Sequence, residues 1–160
     1  MSQEKAQWQF NGQSVRILYL CTNNSARSQM AEALTRHLSK GQVEVYSAGS
    51  QPAERIQPEA TQAIARLGAD MSQYVPKSAE RFQGQTFDRV VILCDKEHES
   101  CPTFSGSSKV ILWDTPDPVK VEGTEAERSR AYQHLAMELN TRIRLLLTLL
   151  EKEKRAVPQA

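Results

Sequence analysis

The chain has 160 residues, of which 39% are hydrophobic and 24% charged, and its formal net charge is +1. This is about the length of one domain, enough to form a hydrophobic core without metal ions or disulfides, and the balanced charge excludes a general nucleic-acid binder. The longest strongly apolar run, LLLTLL, is too short to span a membrane, and the N-terminal residues lack the apolar core of a signal peptide, so we expect a cytoplasmic protein with no membrane partner.

Strands and helices are predicted to alternate along the chain. Apolar and β-branched runs predict strands at 14–20, 43–49, 88–94 and 109–113. Helical spacing of apolar residues predicts helices at about 27–39, from Pro58 to about Leu67, and at about 124–153. The domain is expected to span 14–153, with a polar, loosely ordered leader at 1–13 and a frayed tail at 154–160.

This alternation predicts a single α/β domain with a four-stranded parallel sheet flanked by helices. The apolar runs at 88–94 and 109–113 predict parallel strands that are covered on both faces. Ligands of such sheets bind beyond the carboxyl ends of the strands. Cys21, Cys94 and Asp117 follow the first, third and fourth strands, so their convergence there predicts a functional site.

The stretch CTNNSARS, residues 21–28, connects the first strand to the first helix. A strand–helix loop of this kind directs backbone N–H groups and the positive end of the helix dipole into one concavity, where an oxyanion binds. Cys21 is there favoured as a thiolate nucleophile, Arg27 matches two oxygens of a tetrahedral oxyanion, and Ser28 can donate to the sulfur. The oxyanion-binding residues are predicted to be Thr22, Asn23, Asn24, Ser25, Ala26, Arg27 and Ser28.

Asn23 and Asn24 tolerate the left-handed backbone that a tight loop requires. The simpler alternative is that Cys21 is a small core residue at the end of a buried strand.

CTNNSARSQMAEA resembles the phosphate-binding loop shared by low-molecular-weight protein tyrosine phosphatases and thioredoxin-coupled arsenate reductases. RSQMAE is similar to the reductase branch, because the phosphatases usually carry Pro where Gln29 stands. YSAG and LWDTPDP also match, although Val119 stands where the phosphatases have Tyr. Asn23 and Ala26 depart from a common Gly and a frequent Cys. The resemblance covers about Val15 to Leu150 and implies the phosphatase-like fold.

Cys94 and Cys101 lie seven positions apart in LCDKEHESCP. In a helix they would be separated by about 10 Å, which is too far for a disulfide, so joining them requires the segment to unwind. The residues alone leave open a core role for Cys94, or a zinc site on Cys94, His98 and Cys101 that lacks a fourth ligand. The segment resembles the resolving-cysteine region of the reductases, which implies a Cys94–Cys101 disulfide.

Asp117 has two possible roles. It is either a turn former or, as the resemblance implies, a catalytic acid/base.

The resemblance also implies a potassium site. Family members hold potassium beside the loop, and three of the usual ligands match Asn24, Glu32 and Ser47. Lys77 stands at the place of the fourth, so its ammonium replaces the ion or is simply solvated.

The resemblance implies that Cys21 attacks arsenate and that a Cys94/Cys101 relay reduces it to arsenite, with Arg27 and Asp117 assisting. No tightly bound cofactor is expected; the external reductant is thioredoxin or a glutathione/glutaredoxin system. Arsenate, or a phosphate- or sulfate-like oxyanion, is the expected ligand, and weak phosphatase activity is expected beside the reduction. The alternatives are a tyrosine phosphatase that uses Cys21, Arg27 and Asp117, or a metal- or redox-sensing module on Cys94, His98 and Cys101.

Overall fold

A four-stranded parallel sheet forms the centre of the fold in the computed structural model, which describes residues 8–106 and 108–156. The strands are β1 (Val15–Cys21), β2 (Val43–Gly49), β3 (Arg89–Cys94) and β4 (Val110–Asp114). They lie in the order β2-β1-β3-β4, and each neighbouring pair is parallel. The predicted fold class is confirmed. Because β1 and β3 are central and neighbouring, their last residues, Cys21 and Cys94, lie close together at the carboxyl end of the sheet.

Helices cover one face of the sheet. They are α1 (Arg27–Leu38), α2 (Pro58–Ala65) and α3 (Glu125–Ala156). Pro58 occupies the first turn of α2, where its missing N–H and fixed φ cost nothing. The apolar stripe predicted for α3, which includes Leu139 and Ile143, is buried against β1, β3 and α1 in the larger core cluster.

Aromatic side chains from irregular segments cover the opposite face. Phe82 lies in a short 3₁₀ helix, Ala79–Phe82, and Phe87 precedes β3. Both pack with Tyr46 and Phe104 over the apolar residues of β1 and β3. Cys94 belongs to this smaller cluster, whereas Cys21 belongs to the larger one, so the two sulfur-bearing side chains lie toward different faces.

The prediction that both apolar runs would be covered on both faces is wrong for β4. β3 is buried throughout, but Val110 is 44% exposed and Leu112 is 38% exposed. The reason is the position of β4 at the edge of the sheet, where only the alternate residues Ile111 and Trp113 reach the larger core cluster.

The N-terminal segment enters the core before the predicted domain boundary. Trp8 and Phe10 are each only 3% exposed, and Trp8 Nε1 donates to Thr148 Oγ1 of α3 at 3.1 Å. The described part of the leader is therefore packed rather than loosely ordered, because its two aromatic side chains fill space beside α3. Residues 1–7 of that leader lie outside the described residues. At the other end α3 continues to Ala156, beyond the predicted start of the tail, and residues 157–160 are outside the described range.

Candidate active site

The loop between β1 and α1 is held from outside by its carbonyl groups. The carbonyls of Thr22, Asn23 and Ser25 accept hydrogen bonds from the backbone N–H groups of Gln51, Ala53 and Gln57 at 2.8 to 2.9 Å. Of the two asparagines predicted to tolerate a left-handed backbone, Asn24 adopts it with φ of 52°, whereas Asn23 has no positive φ. With the carbonyls engaged outside, the loop has the form of an anion cradle at the N-terminus of α1.

Cys21 lies at the base of this cradle and is only 2% exposed. Ser28 Oγ is 2.9 Å from its sulfur, and the backbone N–H of Asn24 donates to the sulfur at 3.2 Å. Both contacts stabilise negative charge on sulfur. Cys21 is a free thiol in this structure.

Asn24 connects the loop to the second strand and to the segment before the 3₁₀ helix. Its fully buried amide donates to Ser28 Oγ at 2.7 Å and to Ser47 Oγ at 3.0 Å. Its Oδ1 accepts from Gln29 Nε2 at 2.7 Å and from the backbone N–H of Lys77 at 2.9 Å. The four hydrogen bonds of the Asn24 side chain therefore stabilise the left-handed turn of the loop.

Lys77 lies where the resemblance implies a replaced potassium ligand. Its Nζ is 3.8 Å from Glu32 Oε1 and donates to the carbonyl of Val75 at 3.3 Å. Burial lowers the pKa of Lys77 even though Glu32 acts in the opposite direction. Glu32 also pairs with Arg36 at 3.0 Å. Within residues 8–106 and 108–156, no group of three or more His, Cys, Asp or Glu side chains is arranged to hold a metal ion.

Arg27 begins α1 and extends over the loop, with only 2% of its side chain exposed. Its Nη1 donates to the carbonyl of Thr115 at 3.0 Å, and its Nη2 lies 3.5 Å from Asp117 Oδ2. Burial alone would lower the pKa of Arg27, but Glu99, Cys21 and Asp117 outweigh it and raise the pKa. The guanidinium is therefore a fixed positive charge above the thiol.

Asp117 lies at the mouth of the same depression, which is lined by Cys21, Asn23, Ser25, Ala26, Arg27 and Asp117. Its side chain is 9% exposed and its Oδ1 accepts from the backbone N–H of Val119 at 3.0 Å. A carboxyl group in this position can exchange a proton with an oxygen of a bound oxyanion. The structure thus brings Cys21, Arg27 and Asp117 together.

Cys94 and Cys101 form a disulfide with their Cα atoms 5.7 Å apart. The intervening residues form a turn rather than a helix, and Lys96 N–H donates to Asp114 Oδ1 at 3.1 Å. The disulfide uses both sulfur atoms that the alternative zinc site would need, and His98 Nδ1 is 2.9 Å from Asp95 Oδ2. Cys94 is fully buried, whereas Cys101 borders a groove of about 400 Å³.

Glu99 is the residue of this site that the sequence did not indicate. Its carboxylate contacts Arg27 Nη1 at 2.5 Å and Arg27 Nη2 at 2.9 Å, and Thr22 Oγ1 donates to it at 2.9 Å. Glu99 is one of several charged residues in DKEHES, and no spacing rule distinguishes it from Glu97. The fold of the turn decides which carboxylate reaches Arg27.

Comparison with known proteins assigns the class of this fold and site. The family model of the low molecular weight phosphotyrosine protein phosphatases matches residues 16–156 of this chain. The chain belongs to this family.

Among its relatives, an arsenate reductase of Shouchella clausii (strain KSM-K16) is 37% identical over 128 residues, covering 80% of this chain and 91% of that protein. A crystal structure of arsenate reductase from Archaeoglobus fulgidus DSM 4304 superposes with a TM-score of 0.68 at 26% identity, over 82% and 98% of the two chains. The thioredoxin-dependent arsenate reductase of Corynebacterium glutamicum superposes with a TM-score of 0.66 at 26% identity, over 89% of this chain and 65% of that one. None of the helices in the described part of the chain is both long and apolar enough to cross a membrane.

Proposed function

We propose that this protein reduces arsenate to arsenite, with Cys21 as nucleophile and Cys94 and Cys101 as the source of two electrons. The observation that carries the proposal is a free Cys21 under Arg27 beside a disulfide between the other two cysteines. A phosphatase needs the first arrangement but has no use for the second. The names of the relatives, arsenate reductases of Shouchella clausii and Archaeoglobus fulgidus, support the same activity.

In the first step the loop and Arg27 bind arsenate, and the Cys21 thiolate attacks arsenic. An As–O bond breaks, and Asp117 gives a proton to the departing hydroxyl group, which leaves as water. The product is a covalent Cys21–arsenic(V) adduct. A Cys94 thiolate then attacks Cys21 Sγ, and the electron pair of the S–As bond remains on arsenic, which leaves as arsenite. Finally Cys101 attacks Cys94 Sγ and releases the Cys21 thiolate. The two cysteines lose the two electrons that arsenic gains.

The relay requires movement of Cys94. In the disulfide form its side chain lies in the smaller core cluster, on the face of the sheet away from the cluster that contains Cys21. β1 and β3 are neighbours, separated by about 4.8 Å, so a rotation at the end of β3 brings the sulfurs within reach. The turn from Asp95 to Ser100 must open for that rotation.

Regeneration requires an external dithiol, which we propose to be thioredoxin, with a glutathione/glutaredoxin system as the alternative. The thioredoxin dependence of the Corynebacterium glutamicum relative supports this choice. Cys101 borders the groove, so its sulfur is the one that an incoming thiolate can approach, with Cys94 as leaving group. Such chemistry fits the reducing cytoplasm, where we place the protein.

Weak phosphatase activity is part of the proposal, because Cys21, Arg27 and Asp117 suffice to form and hydrolyse a phosphocysteine. Val119, which is 45% exposed, follows Pro118 and provides no aromatic ring to stack on a phenyl group. We therefore expect slow cleavage of aryl phosphates. Turnover of a phosphotyrosine peptide as fast as arsenate reduction would favour the tyrosine phosphatase alternative.

Three single cysteine variants test the relay with thioredoxin, thioredoxin reductase and arsenate. Cys21→Ser should abolish arsenate reduction and phosphatase activity, because a hydroxyl is a far poorer nucleophile than a thiolate. Cys94→Ser should lose arsenate reduction and keep aryl phosphate hydrolysis, which needs no second cysteine. Cys101→Ser should yield about one arsenite per enzyme and then stop, because a Cys21–Cys94 disulfide is inaccessible to the reductant.

Mass spectrometry of the wild type after arsenate treatment should find the Cys94–Cys101 disulfide. The same measurement on each variant gives its disulfide state for comparison with the wild type. Wild-type rates of thioredoxin-coupled reduction in both Cys94→Ser and Cys101→Ser would rule out the relay. Protein-bound zinc released by oxidation of the thiols would instead support the metal-sensing alternative on Cys94, His98 and Cys101.

A further inference from the structure

The Glu99 carboxylate occupies the donors that an oxyanion would use. Oε1 accepts from Arg27 Nη1 at 2.5 Å and from the backbone N–H of Asp95 at 3.3 Å. Oε2 accepts from Arg27 Nη2 at 2.9 Å and from Thr22 Oγ1 at 2.9 Å. Both terminal nitrogens of the guanidinium are thus engaged by one carboxylate in the bidentate geometry that also fits two oxygens of a phosphate or an arsenate.

This contact is shielded from solvent and charge-balanced. The side chains of Arg27 and Glu99 are 2% and 7% exposed. Burial by itself raises the pKa of Glu99, but hydrogen bonds from Arg27 and Thr22 outweigh it and lower the pKa, so the carboxylate is charged at neutral pH. An incoming oxyanion must displace a satisfied, desolvated ion pair before it can use Arg27.

The disulfide shapes the segment that carries Glu99. Glu99 lies between Cys94 and Cys101, whose Cα atoms are 5.7 Å apart, whereas a helical segment would separate them by about 10 Å. The closed turn is stabilised by hydrogen bonds from the backbone N–H groups of His98 and Glu99 to the carbonyl of Asp95, at 3.2 and 2.9 Å. In the disulfide form the closed turn thus holds the Glu99 carboxylate against Arg27.

We propose that Glu99 closes the oxyanion site when the Cys94–Cys101 disulfide is present and leaves it when the disulfide is reduced. The inference rests on the oxyanion-binding role of the loop in the proposed function. Reduction by a dithiol transfers two electrons and two protons to the disulfide, giving two cysteine thiols and one disulfide in the reductant.

The consequence is an ordered cycle. A tethered carboxylate competes with free oxyanions at an effective concentration in about the millimolar range, so the oxidised enzyme binds arsenate and phosphate more weakly until the reductant has acted. We call this closure of the oxyanion site by Glu99 the gate. The gate acts on oxyanion binding and leaves the Cys21 thiol chemically intact, since Cys21 is free in the same structure.

Titration with inorganic phosphate tests the gate separately from catalysis. Wild type, Glu99→Gln and Glu99→Ala are each prepared with the disulfide formed, as verified by mass spectrometry, and after reduction with dithiothreitol and anaerobic desalting. Isothermal titration calorimetry then gives the phosphate Kd of both forms. Glu97→Gln is the matched control, because Glu97 is an exposed glutamate on the same turn.

Oxidised wild type should bind phosphate about tenfold or more weakly than reduced wild type, because a charge-assisted bidentate contact must be displaced. Oxidised Glu99→Gln and Glu99→Ala should recover most of that loss, and oxidised Glu97→Gln should behave as wild type. Circular dichroism confirms that the variants are folded.

Equal phosphate affinity of oxidised and reduced wild type would overturn the gate. So would oxidised Glu99 variants that bind as weakly as the oxidised wild type. A reduced enzyme that binds phosphate but does not reduce arsenate with thioredoxin contradicts the proposed function and leaves the gate in place.

Discussion

Gly49 shows how one residue limits the geometry of the loop. It ends β2, and its backbone N–H donates to the carbonyl of Lys77 at 2.8 Å. A Cβ at this position would lie 2.6 Å from the carbonyl oxygen of Thr22 and 3.0 Å from Asn24 Cβ. Since the obstructing atoms include backbone, the loop itself would have to move.

Gly49→Ala is therefore expected to destabilise the protein by about 1–3 kcal/mol, as overpacking does, and to weaken phosphate binding by the reduced enzyme about tenfold or more. Urea denaturation and phosphate titration measure the two effects. Ser50→Ala, at the exposed next position, is the control and should change stability by less than about 0.5 kcal/mol. Unchanged phosphate affinity in folded Gly49→Ala would contradict this account of the loop.

We expect Lys77 to determine how the protein responds to potassium. Its ammonium lies 3.8 Å from Glu32 Oε1 and its backbone N–H donates to Asn24 Oδ1, and we propose that the ammonium replaces the ion. Exchanging sodium for potassium should leave the thermal stability of the wild type unchanged.

Lys77→Ala should weaken phosphate binding or become more stable in potassium than in sodium, by on the order of 1 kcal/mol, because the Glu32 carboxylate then loses the Lys77 ammonium and can bind a cation. Thermal unfolding in the two chlorides at equal ionic strength gives the answer. Lys109→Ala, at a side chain that is 71% exposed, is the control and should show neither weaker phosphate binding nor a difference in stability between potassium and sodium. Marked stabilisation of the wild type by potassium alone would show that the assignment of Lys77 is wrong.

At the scale of elements, α3 links the core to the site. Tyr132 lies on its buried stripe and is 3% exposed. Burial, together with the carboxylates of Glu59 and Asp117, raises the pKa of Tyr132 to about 12. The helix that supports the core thus places a neutral phenol near the proposed catalytic acid.

This shift predicts a loss of stability at alkaline pH. The unfolded chain ionises Tyr132 near pH 10, while the folded chain retains the proton until about pH 12, so the contribution is complete below pH 10 and is lost as pH rises through 12. The free energy of unfolding of wild type should fall relative to Tyr132→Phe between those values. Tyr19, whose pKa is also raised by burial, is present in both proteins and cancels. Parallel pH profiles would contradict the prediction.

At the scale of the whole molecule, the two ends of the described chain pack together. Trp8 Nε1 donates to Thr148 in α3, and the backbone N–H of Gln9 donates to Glu151 Oε2 at 2.7 Å. These contacts connect residues about 140 positions apart, so the N-terminal segment completes the core rather than preceding it.

Trp8→Ala should therefore lower the free energy of unfolding by about 3–5 kcal/mol, the usual cost of removing a buried aromatic side chain. Gln9→Ala changes an exposed side chain and keeps the backbone hydrogen bond, so it should cost less than about 0.5 kcal/mol. Chemical denaturation of the two variants gives the comparison. Similar stability of both would mean that the segment contributes nothing to the core.

The sequence by itself determined the family, the alternating order of elements and the parallel sheet. Those features follow from local periodicity, and from the loop motif around Cys21 and Arg27, which lies within one strand–turn–helix unit. The α3 stripe was predictable for the same reason, since residues three and four apart must share a face.

Only the tertiary structure decided which residues meet across long sequence separations. Trp8 against Thr148 and Glu99 against Arg27 depend on how distant segments pack, and the composition of a polar leader or a charged turn carries no information on that. The exposure of β4 likewise depends on its place at the edge of the sheet, because an apolar run has the same composition whether one or both of its faces are covered.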